Sequence, residues 1–466
     1  LMMKYIGFIL LLVAGSAMAK PNIIYINADD LGIMDVGYNG QRYVTPALYR
    51  LCAEGTVFSE AYAAAANCAP SRACVMSGQY TPRHGVYTVA NSDRGPAKLR
   101  KLIPTENTRF LALENLTIAE ALKKRGYSTI HLGKWHLGDD PTEQGFNVNI
   151  GGDKSGSPVG GYFSPFEQAS MQIYNDRYPA GTHRVDVFTD QAIKFMQIHR
   201  EEPFFIHLSF YSVHSKLEPV PDLVDKYDPK RVNPAYASMI EKMDRGIGRI
   251  LEALDLLNLA NNTLVVFTSD NGGICKTSSQ APFRSGKGSY FEGGIRVPLI
   301  VRWPGHAAAA NLCEVPVSGV DFYPTFLAAA GARVPRGKVL DGVSLLPLFE
   351  KFGTIPERPL FWHFPIYLQQ YAGKEDQSHD VHFRTRPGSA VRLGKWKLHE
   401  YFEDGRLELY DLAADPSERM NFAAIHPEKV ASMHKLLTDW RNELNAPVPT
   451  ELNPDYDAEP EVKQND

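Results

Sequence analysis

Residues 68–78 read CAPSRACVMSG, and the interpretation of the whole chain starts from this segment. Pro70 has the fixed φ that suits the first turn of a helix, and the small and apolar residues after Arg72 suit a buried helix. Cys68 is therefore expected at a helix N-terminus, where free N–H groups and the helix dipole favour anions. Taken alone, the segment fits equally well a reactive cysteine that faces an anionic ligand and an ordinary core cysteine.

A second segment, residues 126–138, reads GYSTIHLGKWHLG. The pattern Cys-x-Pro-Ser-Arg with Ser77-Gly78, followed by this second segment, resembles the two signatures of type I sulfatases, which belong to the alkaline phosphatase-like superfamily. The resemblance covers nearly all of the chain after residue 19. It implies a sulfuric ester hydrolase whose Cys68 is oxidised to formylglycine by a formylglycine-generating or anaerobic maturase.

The composition is that of an ordinary globular protein. The chain has 466 residues, of which 44% are hydrophobic and 22% charged. This is enough for a large core, in one large α/β unit with an appendage or in two domains. The net charge of -4 argues against general nucleic-acid binding. An anionic substrate must therefore be met by local positive charge.

The N-terminal residues have the pattern of an export signal. Lys4 precedes an apolar run from Ile6 to Ala14, and residues 17–19 supply the small-x-small pattern of a cleavage site. The alternative is a buried N-terminal strand or helix. The apolar run is too short for a membrane span, and no other run is long enough. We expect a signal peptide over residues 1–19 and a periplasmic or secreted protein.

Strands and helices alternate through the first three quarters of the chain. Continuous apolar runs predict strands over 21–27, 128–132, 204–210, 263–268 and 299–303. Helical periodicity and capping signals predict helices over 45–54, 116–124, 185–200, 235–257 and 321–330. The alternation predicts an α/β fold with a large, mostly parallel, doubly wound sheet flanked by helices. Its active site is expected at the carboxyl ends of the strands.

The pattern changes after about Gly353. Short alternating stretches separated by turn residues predict a small antiparallel sheet, and a helix is predicted over 427–444. The predicted organisation is a signal peptide (1–19), a catalytic α/β domain (20–353), a C-terminal α+β subdomain (354–446) and an acidic, proline-rich tail (447–466). The composition of the tail predicts poor order.

Two acidic pairs follow predicted central strands: Asp29-Asp30 and Asp270-Asn271. Adjacent carboxylates repel unless a cation or several donors lie between them. The alternative for each pair is turn formation and capping. Ligands that are all oxygens suit calcium or magnesium rather than zinc. The family resemblance implies one calcium ion, with an oxygen of the formylglycine at Cys68 completing its shell.

A sulfate ester is a poor electrophile, so its hydrolysis needs positive charge around the oxygens and a strong nucleophile. The resemblance implies that Arg72 and Lys134 hold the formylglycine diol. It implies that Lys287 and His214 contact the sulfate and help to protonate the leaving alcohol, and that His136 takes a proton so that sulfate is expelled. For each of these residues, the alternative is a side chain that is exposed to solvent or packed in the core and has no catalytic role. Many relatives have Thr-Pro directly after the corresponding histidine, whereas His214 of this chain is followed by Ser215-Lys216.

Residues 151–158 and 162–166 resemble a loop of sulfatases that act on carbohydrates. With the export signal, this predicts a sulfated polysaccharide or an oligosaccharide derived from one. Ser157, Arg284 and His363 are candidate substrate contacts, and His363 suits equally well a hydrogen-bonded histidine in the antiparallel sheet. Further candidate contacts for anionic groups, each also consistent with ordinary surface charge, are Lys154, His183, Arg184, His379, His382, Arg384 and Arg386.

Two other functions remain open at this point. One is a phosphonate or phosphodiester hydrolase of the same superfold, and the other is a noncatalytic carbohydrate-binding relative with an unmodified Cys68. The cysteine count is odd, with Cys52, Cys68, Cys74, Cys275 and Cys313. Conversion of Cys68 leaves four, which allows two disulfides or four free thiols. No nucleic-acid partner and no membrane span are expected.

Overall fold

The computed structural model describes residues 20–40, 42–371, 378 and 380–457. The predicted signal peptide, His379 and the end of the tail, residues 458–466, lie outside the described residues. Within these ranges no helix is both long and apolar enough to cross a membrane. Cys52, Cys68, Cys74 and Cys313 are free thiols.

The strands are β1 (Asn22–Ala28), β2 (Thr56–Phe58), β3 (Ala61–Tyr62), β4 (Ser128–Gly133), β5 (Val148–Ile150), β6 (Phe204–Ser209), β7 (Thr263–Ser269), β8 (Leu299–Arg302), β9 (Asn311–Cys313), β10 (Val317–Ser318), β11 (Leu360–Phe364), β12 (Leu368–Gln369), β13 (Phe383–Thr385), β14 (Gly388–Leu393), β15 (Trp396–Tyr401) and β16 (Leu407–Asp411). The α-helices are α1 (Gly37–Gly40), α2 (Pro46–Glu54), α3 (Cys68–Ser77), α4 (Thr81–His84), α5 (Ile118–Lys124), α6 (Arg184–Ile198), α7 (Pro221–Val224), α8 (Pro234–Leu256), α9 (Glu292–Ile295), α10 (Phe322–Ala329), α11 (Leu346–Phe349) and α12 (Pro427–Glu443).

The central sheet has eight strands in the order β5-β4-β6-β1-β7-β8-β2-β9. The first five are parallel to one another, and β8 is antiparallel to both of its neighbours. In register, Asn27 of β1 pairs with Ser209 of β6 and with Thr268 of β7, so these strands end at the same edge. The predicted mostly parallel sheet is confirmed.

Helices cover both faces of this sheet because its central strands are apolar on both sides. Ile24 and Ile26 of β1 pack in the core that α2, α6 and α8 complete on one face. Ile23 and Tyr25 pack in the core that α3, α5 and α10 complete on the other face. Successive strand side chains point to opposite faces, so a continuous apolar run satisfies both cores.

The C-terminal part forms an antiparallel sheet in the order β11-β14-β15-β16. Met433 and Leu437 of α12 pack on this sheet, as the prediction of a small sheet with a helix requires. The indole N–H of Trp362 on β11 donates to the carbonyl oxygen of Ala63 at 2.9 Å, which ties the sheet to the segment that leads to Cys68. The domain boundary near residue 353 stays a prediction.

The expectation of a poorly ordered tail is wrong for residues 447–457. Leu452 forms a β-bridge with Leu102, and the amide of Asn453 donates to the carbonyl oxygens of Ala97 and Arg100. These backbone groups belong to the loop 91–110, which contains only a short 3-10 turn at Ala97–Leu99 and leaves carbonyl oxygens accessible to the tail. The charge and proline content of the tail carried no information on this partner.

Candidate active site

The site is built where the central parallel strands end. Asp29 follows β1, and its N–H donates to the carbonyl oxygen of Ser212 beyond β6 at 2.9 Å. Asp270 follows β7, and its N–H donates to the carbonyl oxygen of Ala28 at 3.1 Å. These cross-links continue the parallel register past the strands. They bring the polar residues that follow each strand into one cluster, as the order of elements predicts.

Each of the three carboxylates in this cluster has a buried cationic partner. Asp29 Oδ2 lies 2.7 Å from Lys134 Nζ, with both side chains fully buried. Asp30 Oδ1 lies 2.6 Å from Lys287 Nζ. Asp270 Oδ2 accepts a hydrogen bond from Arg72 Nε at 2.9 Å and lies 2.8 Å from Nη2 of the same guanidinium. A buried charge is tolerated only with such a partner, so these ion pairs hold the cluster together.

The oxygens of the cluster fit a divalent cation. Asp29, Cys68 and Asp270 each place one ligand atom within 4.8 Å of the others, and Asp29, Asp30 and His214 form a second such group. Oδ1 of Asp29 and Oδ1 of Asn271 are buried without a hydrogen-bond partner in the described part of the chain. A buried acceptor without a partner is costly. A hard cation satisfies such oxygens, so the donor set fits calcium or magnesium.

Cys68 is the first residue of α3 and is 2% exposed. Arg72, one helical turn later, donates to the carbonyl oxygen of Lys134 at 3.0 Å and to the hydroxyl of Ser209. Arg72 therefore joins the start of α3 to the ends of β4, β6 and β7. Burial alone would lower the pKa of Arg72, but Asp270 and Asp29 raise it, so the guanidinium stays charged.

Lys287 lies in a buried turn, and three contacts fix this turn against the cluster. The N–H of Lys287 donates to the carbonyl oxygen of Gly273, and the N–H of Gly288 donates to that of Ala66, each at 2.8 Å. On the C-terminal side, Glu292 pairs with Lys397 of β15 at 3.0 Å. Burial alone would lower the pKa of Lys287, but the charge of Asp30 raises it well above its usual value. Lys287 is therefore a fixed positive charge.

The two histidines of the site are held neutral. His136 has a φ of 63° and a buried Nδ1 that has no hydrogen-bond partner among the described residues. Burial, followed by the charges of Lys134 and Arg72, lowers its pKa well below the usual value. His214 Nε2 lies 3.8 Å from Asp30 Oδ2, and burial lowers the pKa of His214 to about 3. A neutral imidazole is ready to accept a proton.

The structure thus brings together Cys68, Arg72, Lys134, His136, His214 and Lys287 with Asp29, Asp30, Asp270 and Asn271. Ser157 is exposed on the loop whose Gly156 packs against the His136 ring. His363 is not near this cluster but in the core of the C-terminal part, where its ring nitrogens bond Ser389 Oγ at 2.8 Å and the Pro447 carbonyl oxygen at 3.0 Å. The structure therefore corrects the candidate role of His363 as a substrate contact. His363 is a hydrogen-bonded histidine of the antiparallel sheet, which was the alternative interpretation.

Most other candidate substrate contacts are engaged elsewhere. The Arg284 guanidinium is buried over the Phe291 ring and donates to the Glu418 carbonyl oxygen. The remaining contacts are as follows: His183 accepts from the N–H of Val185, Arg184 donates to Gln168 and Gly161, Lys154 pairs with Asp139 on the surface, and Arg386 pairs with Asp380 and Glu403. His382 is half-buried. Arg384 alone of this group contacts the Lys287 turn, through the Lys287 carbonyl oxygen at 3.0 Å.

Two residues of the site were not predicted from the sequence. Ser209 holds Arg72 through its hydroxyl, and the available signal was a polar residue near the end of the predicted strand 204–210. Gly156 packs so closely that a Cβ there would lie 2.6 Å from Cε1 of His136. A glycine within a Gly- and Ser-rich loop carries no signal for such a contact.

Known proteins share these sequence features and this fold. The family model described as Sulfatase matches residues 21–332, and the model described as N-sulphoglucosamine sulphohydrolase, C-terminal, matches residues 286–445. A sulfatase of Formosa agariphila is 31% identical over 92% of this chain and 90% of its own. The N-acetylgalactosamine-6-sulfatase of Mus musculus is 30% identical over 90% of this chain and 79% of its own. The crystal structure of Ps i-CgsB in complex with k-i-k-neocarrahexaose is 29% identical, covers 90% of this chain and 92% of its own, and superposes with a TM-score of 0.73.

Proposed function

Since this chain belongs to the sulfatase family, whose members are sulfuric ester hydrolases, we propose that it hydrolyses sulfate esters on a sulfated polysaccharide or an oligosaccharide derived from one. One relative is named for N-acetylgalactosamine, and the Ps i-CgsB structure holds a neocarrahexaose. The observation that carries the proposal is the position of Cys68 at a helix N-terminus, beside buried oxygens that need a cation and beside fixed positive charges.

The proposed cofactors are one calcium ion and a formylglycine made from Cys68 by a maturase. Asp29, Asp30, Asp270 and Asn271 would hold the ion, because two of their buried oxygens have no partner among the described residues. An ion held there would supply positive charge to the sulfate oxygens. The formylglycine, when hydrated, supplies an oxygen nucleophile that is regenerated in each cycle. We also propose that residues 1–19 direct export to the periplasm or the medium.

The protein's own residues have the following proposed roles. Arg72 and Lys134 orient the side chain at position 68, since both are buried and charged next to it. Lys287 and His214 lie at Asp30 and contact the sulfate, and Lys287, which carries the proton, assists protonation of the leaving alcohol. His136 accepts a proton from the side chain at position 68, because burial keeps its imidazole neutral at neutral pH.

The proposed role of His136 predicts an effect of Gly156→Ala. The new methyl group would lie 2.6 Å from the imidazole, so the ring must move while the backbone needs no change. We expect kcat to fall about 10- to 100-fold, because a displacement of about 1 Å in a catalytic group costs that much, with little change in the melting temperature. The neighbouring Ser155→Ala is the control and should keep full activity. An unchanged kcat in Gly156→Ala would exclude a catalytic role for His136 in its present position.

The proposed function is tested by sulfate release from defined carrageenan, ulvan, chondroitin and heparin oligosaccharides. The enzyme is produced with a maturase, and conversion of Cys68 is verified by mass spectrometry. We expect release from one family of these oligosaccharides. Converted enzyme that releases no sulfate from any of them, but hydrolyses phosphonate monoesters or phosphodiesters, would instead establish the alternative activity of the same superfold. Binding of an oligosaccharide without any turnover would identify a noncatalytic relative.

A further inference from the structure

Two arginines are held side by side next to the Lys287 turn. Arg384 on β13 donates through Nε to the Gln369 carbonyl oxygen at 2.9 Å and through a terminal nitrogen to the Lys287 carbonyl oxygen at 3.0 Å. Arg94, in the loop 91–110, donates through Nε to Oε1 of the same Gln369 at 3.1 Å. Gln369 on β12 therefore fixes both guanidinium groups, one through its backbone and the other through its side chain.

Neither arginine has a carboxylate partner in the described part of the chain. The contrast is Arg386, two residues after Arg384, which pairs with Asp380 and Glu403. Burial, and then the like charge of Arg384, lowers the pKa of Arg94. Arg384 is buried and Arg94 half-buried, and two such cations that repel each other are unfavourable when the described residues supply no counter-ion. A bound anion would balance their charge.

This pair of arginines lies beside the candidate active site. Gly288, whose N–H bonds the Ala66 carbonyl oxygen two residues before Cys68, is so close to Arg384 that a Cβ at residue 288 would lie 3.0 Å from its terminal nitrogen. Arg94 shares Gln369 with Arg384, and Arg384 donates to the Lys287 carbonyl oxygen, so the pair of arginines lies next to the Lys287 turn.

An aromatic ring completes the arrangement. The guanidinium carbon of Arg384 lies 3.7 Å from the ring centre of Tyr371, which is half-buried. This stacking fixes the orientation of the guanidinium plane. The N–H groups of Arg384 that do not bond Gln369 or Lys287 are left for a ligand. A guanidinium fork binds a carboxylate or a sulfate through two parallel hydrogen bonds.

We propose that Arg94 and Arg384, with Tyr371, form a subsite beside position 68 for a second anionic group of the substrate. The group is a carboxylate or a further sulfate ester on the sugar that carries the reactive ester or on its neighbour. This inference rests on the proposed function, since it places the reactive sulfate at Cys68 and Lys287. Arg94 is a specificity-determining residue and Arg384 its partner.

The test measures binding by isothermal titration calorimetry to the full chain carrying Cys68→Ala, so that turnover is not needed. The probes are N-acetylgalactosamine 6-sulfate, N-acetylgalactosamine 4,6-disulfate and the chondroitin 6-sulfate disaccharide, together with mono- and disulfated carrageenan oligosaccharides of equal length. Adding Arg94→Gln should raise the dissociation constant of a doubly anionic probe about 10- to 100-fold, because a charge-assisted hydrogen-bonded contact is lost. The singly anionic probe of the same sugar should change less than about threefold.

Two further variants separate specific recognition from general charge. Arg94→Lys keeps the positive charge but cannot form two parallel hydrogen bonds to an anion. We therefore expect its affinity for the doubly anionic probes to lie between those of Arg94→Gln and the unsubstituted residue. Arg109→Gln removes an exposed arginine of the same loop, bonded to Asn91, and should change no dissociation constant. A loss with the disulfated probes alone identifies a sulfate subsite, and a loss with the disaccharide alone identifies a carboxylate subsite.

The proposal is overturned if Arg94→Gln leaves every doubly anionic probe unchanged, if it weakens singly and doubly anionic probes equally, or if no doubly anionic probe binds. A failure of the proposed function is a different result. It appears as converted wild-type enzyme that releases no sulfate from any oligosaccharide, whatever the binding data show.

Discussion

Replacement of Cys68 by alanine is expected to reduce kcat/KM for sulfate release by at least about 10⁴-fold, because it removes the only precursor of the proposed nucleophile. The side chain at position 68 starts α3 and is buried, and alanine is well tolerated there, so the fold should persist. The measurement is sulfate release by ion chromatography, with the melting temperature followed in parallel.

Cys74→Ala is the matched control for this variant. Cys74 lies in the same helix, is equally buried and contacts Nε2 of His84 at 3.4 Å, but has no contact with the carboxylate cluster. We expect Cys74→Ala to lose some stability and to keep its turnover number. Sulfate release that survives in Cys68→Ala would exclude the mechanism proposed for this site.

Removal of the metal is expected to have the second largest effect. Chelation should lower kcat at least about 100-fold, since positive charge beside the sulfate is lost, and calcium should restore it. Calcium at about 100 times its dissociation constant should stabilise the folded state by about 2.7 kcal/mol. The melting temperature of the metal-free protein should therefore rise by a few degrees on adding calcium, which differential scanning fluorimetry measures.

Asp270→Asn tests whether this response belongs to the proposed residues. The substitution keeps the shape of the side chain but removes its charge, so the rise in melting temperature with calcium should be lost or strongly reduced. Asp35→Asn is the control, because Asp35 is a buried carboxylate of the same region whose partners include Tyr236, Gln280 and Ser278. A calcium response that persists in Asp270→Asn and disappears in Asp35→Asn would place the metal elsewhere. A larger stabilisation by magnesium than by calcium would correct the choice of ion.

The central sheet was predictable from the sequence because its strands are buried on both faces. The run from Asn22 to Ala28 contains no alternation, which only a strand with helices on both sides satisfies, and the helix of residues 234–256 was identified from its apolar positions to within one residue at either end. The family resemblance, carried by residues 68–78 and 126–138, is confirmed by the match over residues 21–332.

Contacts between segments that are distant in the chain were not predictable. His363 follows Trp362 in a strand of the C-terminal sheet, and its partner, the Pro447 carbonyl oxygen, is 84 residues away. Arg94 lies in a loop without periodicity, and only the three-dimensional structure places it at Gln369, which also holds Arg384. Periodicity and capping signals depend on the residues nearby in the sequence. Contacts between distant segments depend instead on how the loops pack against the folded sheet.

The central claim is that sulfate ester hydrolysis depends on a converted Cys68 at this site. The most direct test prepares the protein with different amounts of maturase, counts the converted fraction of the peptide that contains residue 68 by mass spectrometry, and measures sulfate release from the best oligosaccharide. The account predicts that the turnover number per total chain rises in proportion to the converted fraction and reaches zero where no chain is converted. Equal turnover by unconverted and converted protein would contradict it.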